Sequence, residues 1–155
     1  MSKHIDNPCS RSTQLVSVDE VTANEQLSSA RLSRAGVLLR DSRSTVTPPS
    51  ARIVAAFDAI YLCCLRFKDL SSQGENDVKN ANSDVVLAVA DLIAATTEKL
   101  GIPPDGVDLA LRLMKWSFFG LEKDMPCTPA RASDLAEAVL RETKRLHLNS
   151  GDSRF

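Results

Sequence analysis

The apolar positions of this chain recur at helical spacing, and no convincing run follows the two-residue period of a strand. From Ala23 to Arg40, Leu27, Ala30, Ala35, Leu38 and Leu39 form one stripe, with Arg31, Arg34 and Arg40 between them. Ser42 to Thr47 ends this first predicted helix. Pro48-Pro49 blocks its continuation, since proline lacks the N–H and crowds the preceding turn. A second helix is predicted over Ser50–Lys68. Ile53, Val54, Ala56, Phe57, Ile60, Tyr61, Cys63, Cys64 and Phe67 cover well over half its circumference, so it belongs at the centre with neighbours on several sides.

Asp69 to Asn82, rich in Gly, Asn, Ser and charge, reads as a loop. Ser83 can cap a third helix reaching Leu100, with Asp84 favourable at the positive dipole end. Gly101 suits the residue after its last turn, and Pro103-Pro104 lies beyond. A fourth helix is expected from Gly106 to Phe119, capped by Asp105. The fifth is expected from Pro129 to His147, with Thr128 as cap and proline in the first turn. The β-branched run Asp84–Val89 sits inside the third helix's pattern. The prediction is therefore all-α: a compact, up-and-down bundle of about five helices over residues 23–148. Residues 1–22, polar and aperiodic, are expected to be a disordered, mobile tail, and residues 149–155 a loose C-terminus.

Composition narrows the function classes. Of 155 residues, 43% are apolar and 25% charged, which is ordinary globular usage. A formal net charge of -1 provides no overall basic field for nucleic acid, and 5% aromatics argues against a base-stacking surface. The N-terminus has no apolar run behind a basic start, and no window approaches the roughly 18–20 apolar residues that cross a bilayer. The expected location is the cytoplasm, with no membrane partner. Cys9, Cys63, Cys64 and Cys127 have no metal-ligand spacing. Cys63 and Cys64 read as buried thiols acting as small hydrophobes.

Catalytic motifs are thin. Phosphate-binding glycine patterns and metal-binding histidine pairs are absent from the sequence, so no cofactor and no metal are expected. Arg141 and His147, in RETKRLH, offer a cation for a phosphorane-like charge and a proton carrier, which is ribonuclease-compatible chemistry. A six-residue step turns a helix by about 600°, a net turn of about 240° that puts them on different faces. Both also read as favourable cations at a helix C-terminus. Cys127 lacks an identifiable basic partner and reads as an inert thiol. Asp91, Glu98, Glu122 and Asp124 read as a solvated face, and Trp116, Phe118 and Phe119 as core packing.

Two segments, ARLSRAGVLLRDSR followed by SARIVAAFDAIYLCCLRF, together with EKLGIPPDGV at the joint of the third and fourth helices, resemble HEPN-like small helical proteins over residues 30–146. The resemblance implies a helical bundle that often dimerises, with some members acting as metal-independent RNases. Others act as non-catalytic partners in toxin–antitoxin or nucleotidyltransferase-associated systems. Active members carry an arginine followed after four to six residues by histidine, near the start of the last core helix. The corresponding stretch, RLMKWSFFGLEKDMP, offers Arg112 and Lys115, but Phe118, Phe119 and Leu121 stand where histidine or tyrosine is expected. The favoured expectation is a non-catalytic interaction module, a homo-oligomer or bound to a protein partner. The alternative is a HEPN-type ribonuclease acting on RNA through Arg141, His147 or Arg112.

Overall fold

The computed structural model describes residues 23, 25–71 and 82–153. The expected tail before Ala23, with His4 and Cys9, and residues 72–81 of the expected loop lie outside the described residues. Among those described there are five helices and no strand: α1 (25–42), α2 (Pro49–Ser71), α3 (Asn82–Lys99), α4 (Pro104–Ser117) and α5 (Pro129–Ser153). The protein is an all-α bundle.

The boundaries follow from local chemistry. At the end of α1, the Ser42 hydroxyl donates to the Leu39 carbonyl at 2.6 Å. Pro49 then occupies the first position of α2, where its missing N–H costs nothing, and the Pro48 carbonyl accepts from the Arg52 N–H. Gly101 ends α3 as expected. Its φ of 81° lets the Ile102 N–H reach the Thr97 carbonyl and its own N–H reach Glu98, which is a Schellman closure. Thr128 caps α5 as expected, its hydroxyl accepting from the Arg131 N–H at 3.2 Å.

Several boundaries differ from expectation. Helix α1 runs two residues past Arg40, α2 spans Pro49–Ser71 and α3 starts at Asn82, so residues 69–71 and Asn82, expected in a loop, are helical, and α4 ends at Ser117 rather than Phe119. Helix α4 starts at Pro104, with Pro103 as N-cap and no side-chain cap, so Asp105 sits in the first turn rather than before it. The pair Pro103-Pro104 opens this helix, because the Pro103 carbonyl accepts from both Gly106 and Val107. Helix α5 continues past His147 to Ser153, since no proline interrupts it.

Helix α2 is the centre of the bundle, and its neighbours can be read from single side chains. Asp58 and Tyr61 feel Arg34 and Arg31 of α1. Cys64 lies within hydrogen-bonding reach of Thr96 on α3, and Cys63 of Thr143 on α5. Phe57 and Tyr61 meet the ring of Phe118, just after α4, at 4.8 and 4.7 Å between centroids. The buried core takes Ile53, Phe57 and Ile60 from α2, Leu113 and Met114 from α4, and Ala136 and Val139 from α5.

The strict up-and-down order does not hold. Arg43, in the joint between α1 and α2, pairs with Asp134 and Glu137 in the early turns of α5. Cys63, late in α2, meets Thr143, late in α5. Helices α2 and α5 therefore run side by side in the same direction, whereas five strictly alternating helices would oppose them. The start of α5 lies beside the α1–α2 joint, in keeping with this direction.

Candidate functional site

The sequence-derived catalytic candidates do not converge. Arg112 is exposed on α4 and lies near Cys127, which also feels Arg131 at the beginning of α5. From Arg131, ten helical steps of 1.5 Å place Arg141 about 15 Å further along α5, and sixteen place His147 about 24 Å along. Arg112 and His147 thus belong to different regions of the bundle. The exposed Arg141 lies 3.6 Å from Glu142, which Arg145, bonded at 2.8 Å, holds below the usual carboxylate range. The His147 backbone belongs to α5, and its side chain lies outside the described residues.

The thiols divide by burial. Cys63 and Cys64 are fully buried, and loss of solvation pushes them up to about 11 and about 12. Both stay protonated at neutral pH, as expected of small hydrophobes. Cys127 is half-buried, and burial raises it despite the opposing pull of Arg131 and Arg112. It is a weak nucleophile in this setting, because the thiolate is the reactive form.

An open groove of about 320 Å³ runs between the start of α4 and α5. Ile102, Leu109, Leu135 and Ala138 line it, with Asp105, Arg131 and Asp134 at the rim. Gly106 permits this approach: a Cβ there would come 2.7 Å from Ile102 Cγ2 and 3.2 Å from Leu135 Cδ1. On the other side of Ile102, a second groove of about 270 Å³ lies between Glu98 of α3 and Val107, Asp108 and Leu111 of α4.

The second groove belongs to a larger feature. Helices α3 and α4 pack against each other as a helical hairpin across the four-residue joint at Gly101. Among the described side chains of α3, Ile93 is the one apolar group that is buried. Val86, Val89, Ala90 and Leu92 are half-covered, while Val85 is 41% and Leu87 61% exposed. At the far end of α4, Phe118 is 39% and Leu121 61% exposed. Gly120, at a φ of 61°, turns the chain so that the Leu121 N–H donates to the Lys115 carbonyl, holding Leu121 beside the last turn of α4. Trp116 and Phe119 are half-buried against the core, as expected, but Phe118 keeps an outer edge.

The two apolar groups lie level. Fourteen helical steps separate Val86 from Leu100, and fourteen separate Phe118 from Pro104, about 21 Å from the joint in each case. Sequence patterning revealed the apolarity of both segments. It could not show that nothing within the described chain covers them, because that depends on the placement of α2 and α5.

No family model, curated protein or solved structure matches the chain. Among the described residues there is no group of three or more His, Cys, Asp or Glu placed to hold a metal ion. No described helix is long and apolar enough to cross a membrane.

Proposed function

We propose that this chain is a non-catalytic helical interaction module that self-associates, after the manner of HEPN-like proteins in toxin–antitoxin or nucleotidyltransferase-associated systems. The observation that carries this reading is the exposure of large apolar side chains toward one end of the α3–α4 hairpin, Leu87 on α3 and Leu121 just after α4, each 61% exposed. Such side chains are costly in water when clustered, and burying them against a partner offsets that cost. The separation of Arg112 from Arg141 and His147 adds support, since a ribonuclease needs its cation and its proton carrier at one phosphodiester. With the pair on α5 about 120° apart around the helix, after a net turn of about 240°, the ribonuclease alternative has no converging geometry behind it.

Two assays on the pure full-length protein test the reading. Light scattering is expected to give a mass above that of one chain, rising with concentration. Incubation with a mixed-sequence RNA is expected to give no cleavage above buffer, with wild type and His147→Ala alike. Cleavage by the wild type that His147→Ala abolishes would replace this reading with the ribonuclease.

A further inference from the structure

We infer that the joint end of the α3–α4 hairpin docks a basic, amphipathic helix of a partner protein, laid across the first turns of α4 with an apolar anchor in the groove on either side. This goes beyond self-association and does not depend on it. The two grooves meet at Ile102, about 20 Å along the hairpin from the exposed Leu87.

Leu109 lines the first groove and Leu111 the second. Two residues apart on one helix, they stand about 160° from each other around it, so the grooves follow opposite flanks of α4. A helix with its side chains is about 10 Å across, which is close to the length of two turns of a second helix crossing it. Apolar side chains at i and i+7 of the crossing helix therefore come down one in each groove. Both grooves are open to solvent and a ridge divides them, so a small molecule fills one, whereas a helix spans both. The seat is formed in advance of binding. Pro103 and Pro104 hold the backbone between the grooves, the closure at Gly101 sets its direction, and the missing Cβ of Gly106 leaves the floor beside Ile102 and Leu135 open.

Charge selects the partner. Across this face run Glu98, the second groove, Asp108 and Asp105 on the outer side of α4, the first groove, and Asp134. Among the described residues, Arg131 is the one cation lining either groove. Asp134 is engaged by Arg43, whereas Glu98, Asp105 and Asp108 form no ion pair among the described residues. The chain as a whole is nearly neutral, at a formal net charge of -1, so the excess of acid is local to this end. The two full charges on the first turns of α4 exceed the roughly half charge of its positive dipole end. Arg112, one turn beyond Asp108, closes the acidic stretch. Lysine or arginine between the anchors of the docked helix meets Asp105 and Asp108, and cations outside the anchors meet Glu98 and Asp134. An acidic helix of the same apolar pattern is repelled along its whole length.

Fluorescence anisotropy with the full-length protein and a labelled, amidated peptide of about fifteen residues tests this, a length at which alanine-rich helices begin to hold. The peptide carries leucine at i, i+4 and i+7 with lysine and alanine elsewhere. It is expected to bind at least tenfold tighter than a peptide of the same composition in scrambled order, and the version with glutamate for lysine is expected not to bind. Leu111→Lys and Ala138→Lys, at half-covered positions in one groove each, are each expected to weaken binding at least tenfold. Far-UV circular dichroism confirms the fold of both. Asp105→Asn with Asp108→Asn, both at exposed positions, is expected to weaken binding several-fold and flatten its salt dependence. Leu87→Glu is expected to bind as wild type does. Equal binding of the scrambled peptide, no binding of the amphipathic one, or folded groove variants that bind normally would each overturn the inference. Loss of binding in Leu87→Glu would move the site to the other end of the hairpin and overturn it as well.

Discussion

Helices α2 and α3 are both dominated by apolar residues, yet they end in opposite circumstances. Helix α2 buries Ile53, Ala56, Phe57, Ala59, Ile60, Cys63 and Cys64, with α1, α3, α4 and α5 each reaching one of its faces. Helix α3 buries Ile93 and leaves Val85 and Leu87 facing outward. The contrast teaches that apolar patterning states how much surface a helix should lose from water. It does not state which molecule supplies the cover.

The sharpest way to break the comparison is to truncate one side chain on each helix. Phe57→Ala is expected to cost about 3–5 kcal/mol in urea unfolding, since the ring is fully enclosed and its cavity cannot collapse completely. Leu87→Ala, measured where the protein is dilute, is expected to stay within about 0.5 kcal/mol of wild type. Similar losses at both sites would mean that α3 is covered within the monomer after all.

Titration gives the next largest effect and again singles out α2. Cys63 and Cys64 are raised to about 11 and about 12 by burial, so between pH 9 and those values the native protein keeps protons that the unfolded chain has released. Stability is fully present below pH 9 and falls as pH rises. Unfolding free energies at pH 8 and pH 10 should differ by about 2–3 kcal/mol from these two thiols. A Cys63→Ala, Cys64→Ala chain should show a flatter profile, and an equally steep one would deny the thiols their part.

Smaller effects probe how the chain closes around α2 while leaving α3 open. Gly106→Ala is expected to cost about 1–2 kcal/mol by thermal unfolding, because its Cβ meets Ile102 and Leu135 and outweighs the gain in helix propensity. Thr128→Ala removes the cap of α5, the main cover of α2, and should cost about 1 kcal/mol. Neither change lies on the outer face of the hairpin, so both should leave self-association intact in light scattering. Loss of association in either would extend the interface to α5.

Much of the fold was legible because its signals are local. Proline at Pro48-Pro49 and Thr128-Pro129, and glycine at Gly101, act through their own backbone, and each marks the expected element. The start of α4 was less legible: Asp105 is a good capping residue, but a proline pair fixes φ and opens the helix two residues earlier. The shared direction of α2 and α5 was not legible at all, since it rests on contacts between residues far apart in sequence, such as buried Cys63 with Thr143, and shows again where Arg43 meets Asp134 and Glu137. The same holds for the candidate surface. Leu87 and Leu121 are simply apolar in the sequence, and their exposure follows from the packing of helices they do not belong to. For Arg141 and His147, spacing alone already separated them around the helix.

Amide hydrogen exchange followed at two protein concentrations measures the central claim directly, because it reports α2 and α3 in the same sample. Protection of residues 53–64 should be high and independent of concentration. Protection of residues 85–92, and of 115–121 beside them, should rise as the protein is concentrated and the hairpin face is covered by a second copy. Protection in α3 that stays the same from dilute to concentrated solution would contradict the account.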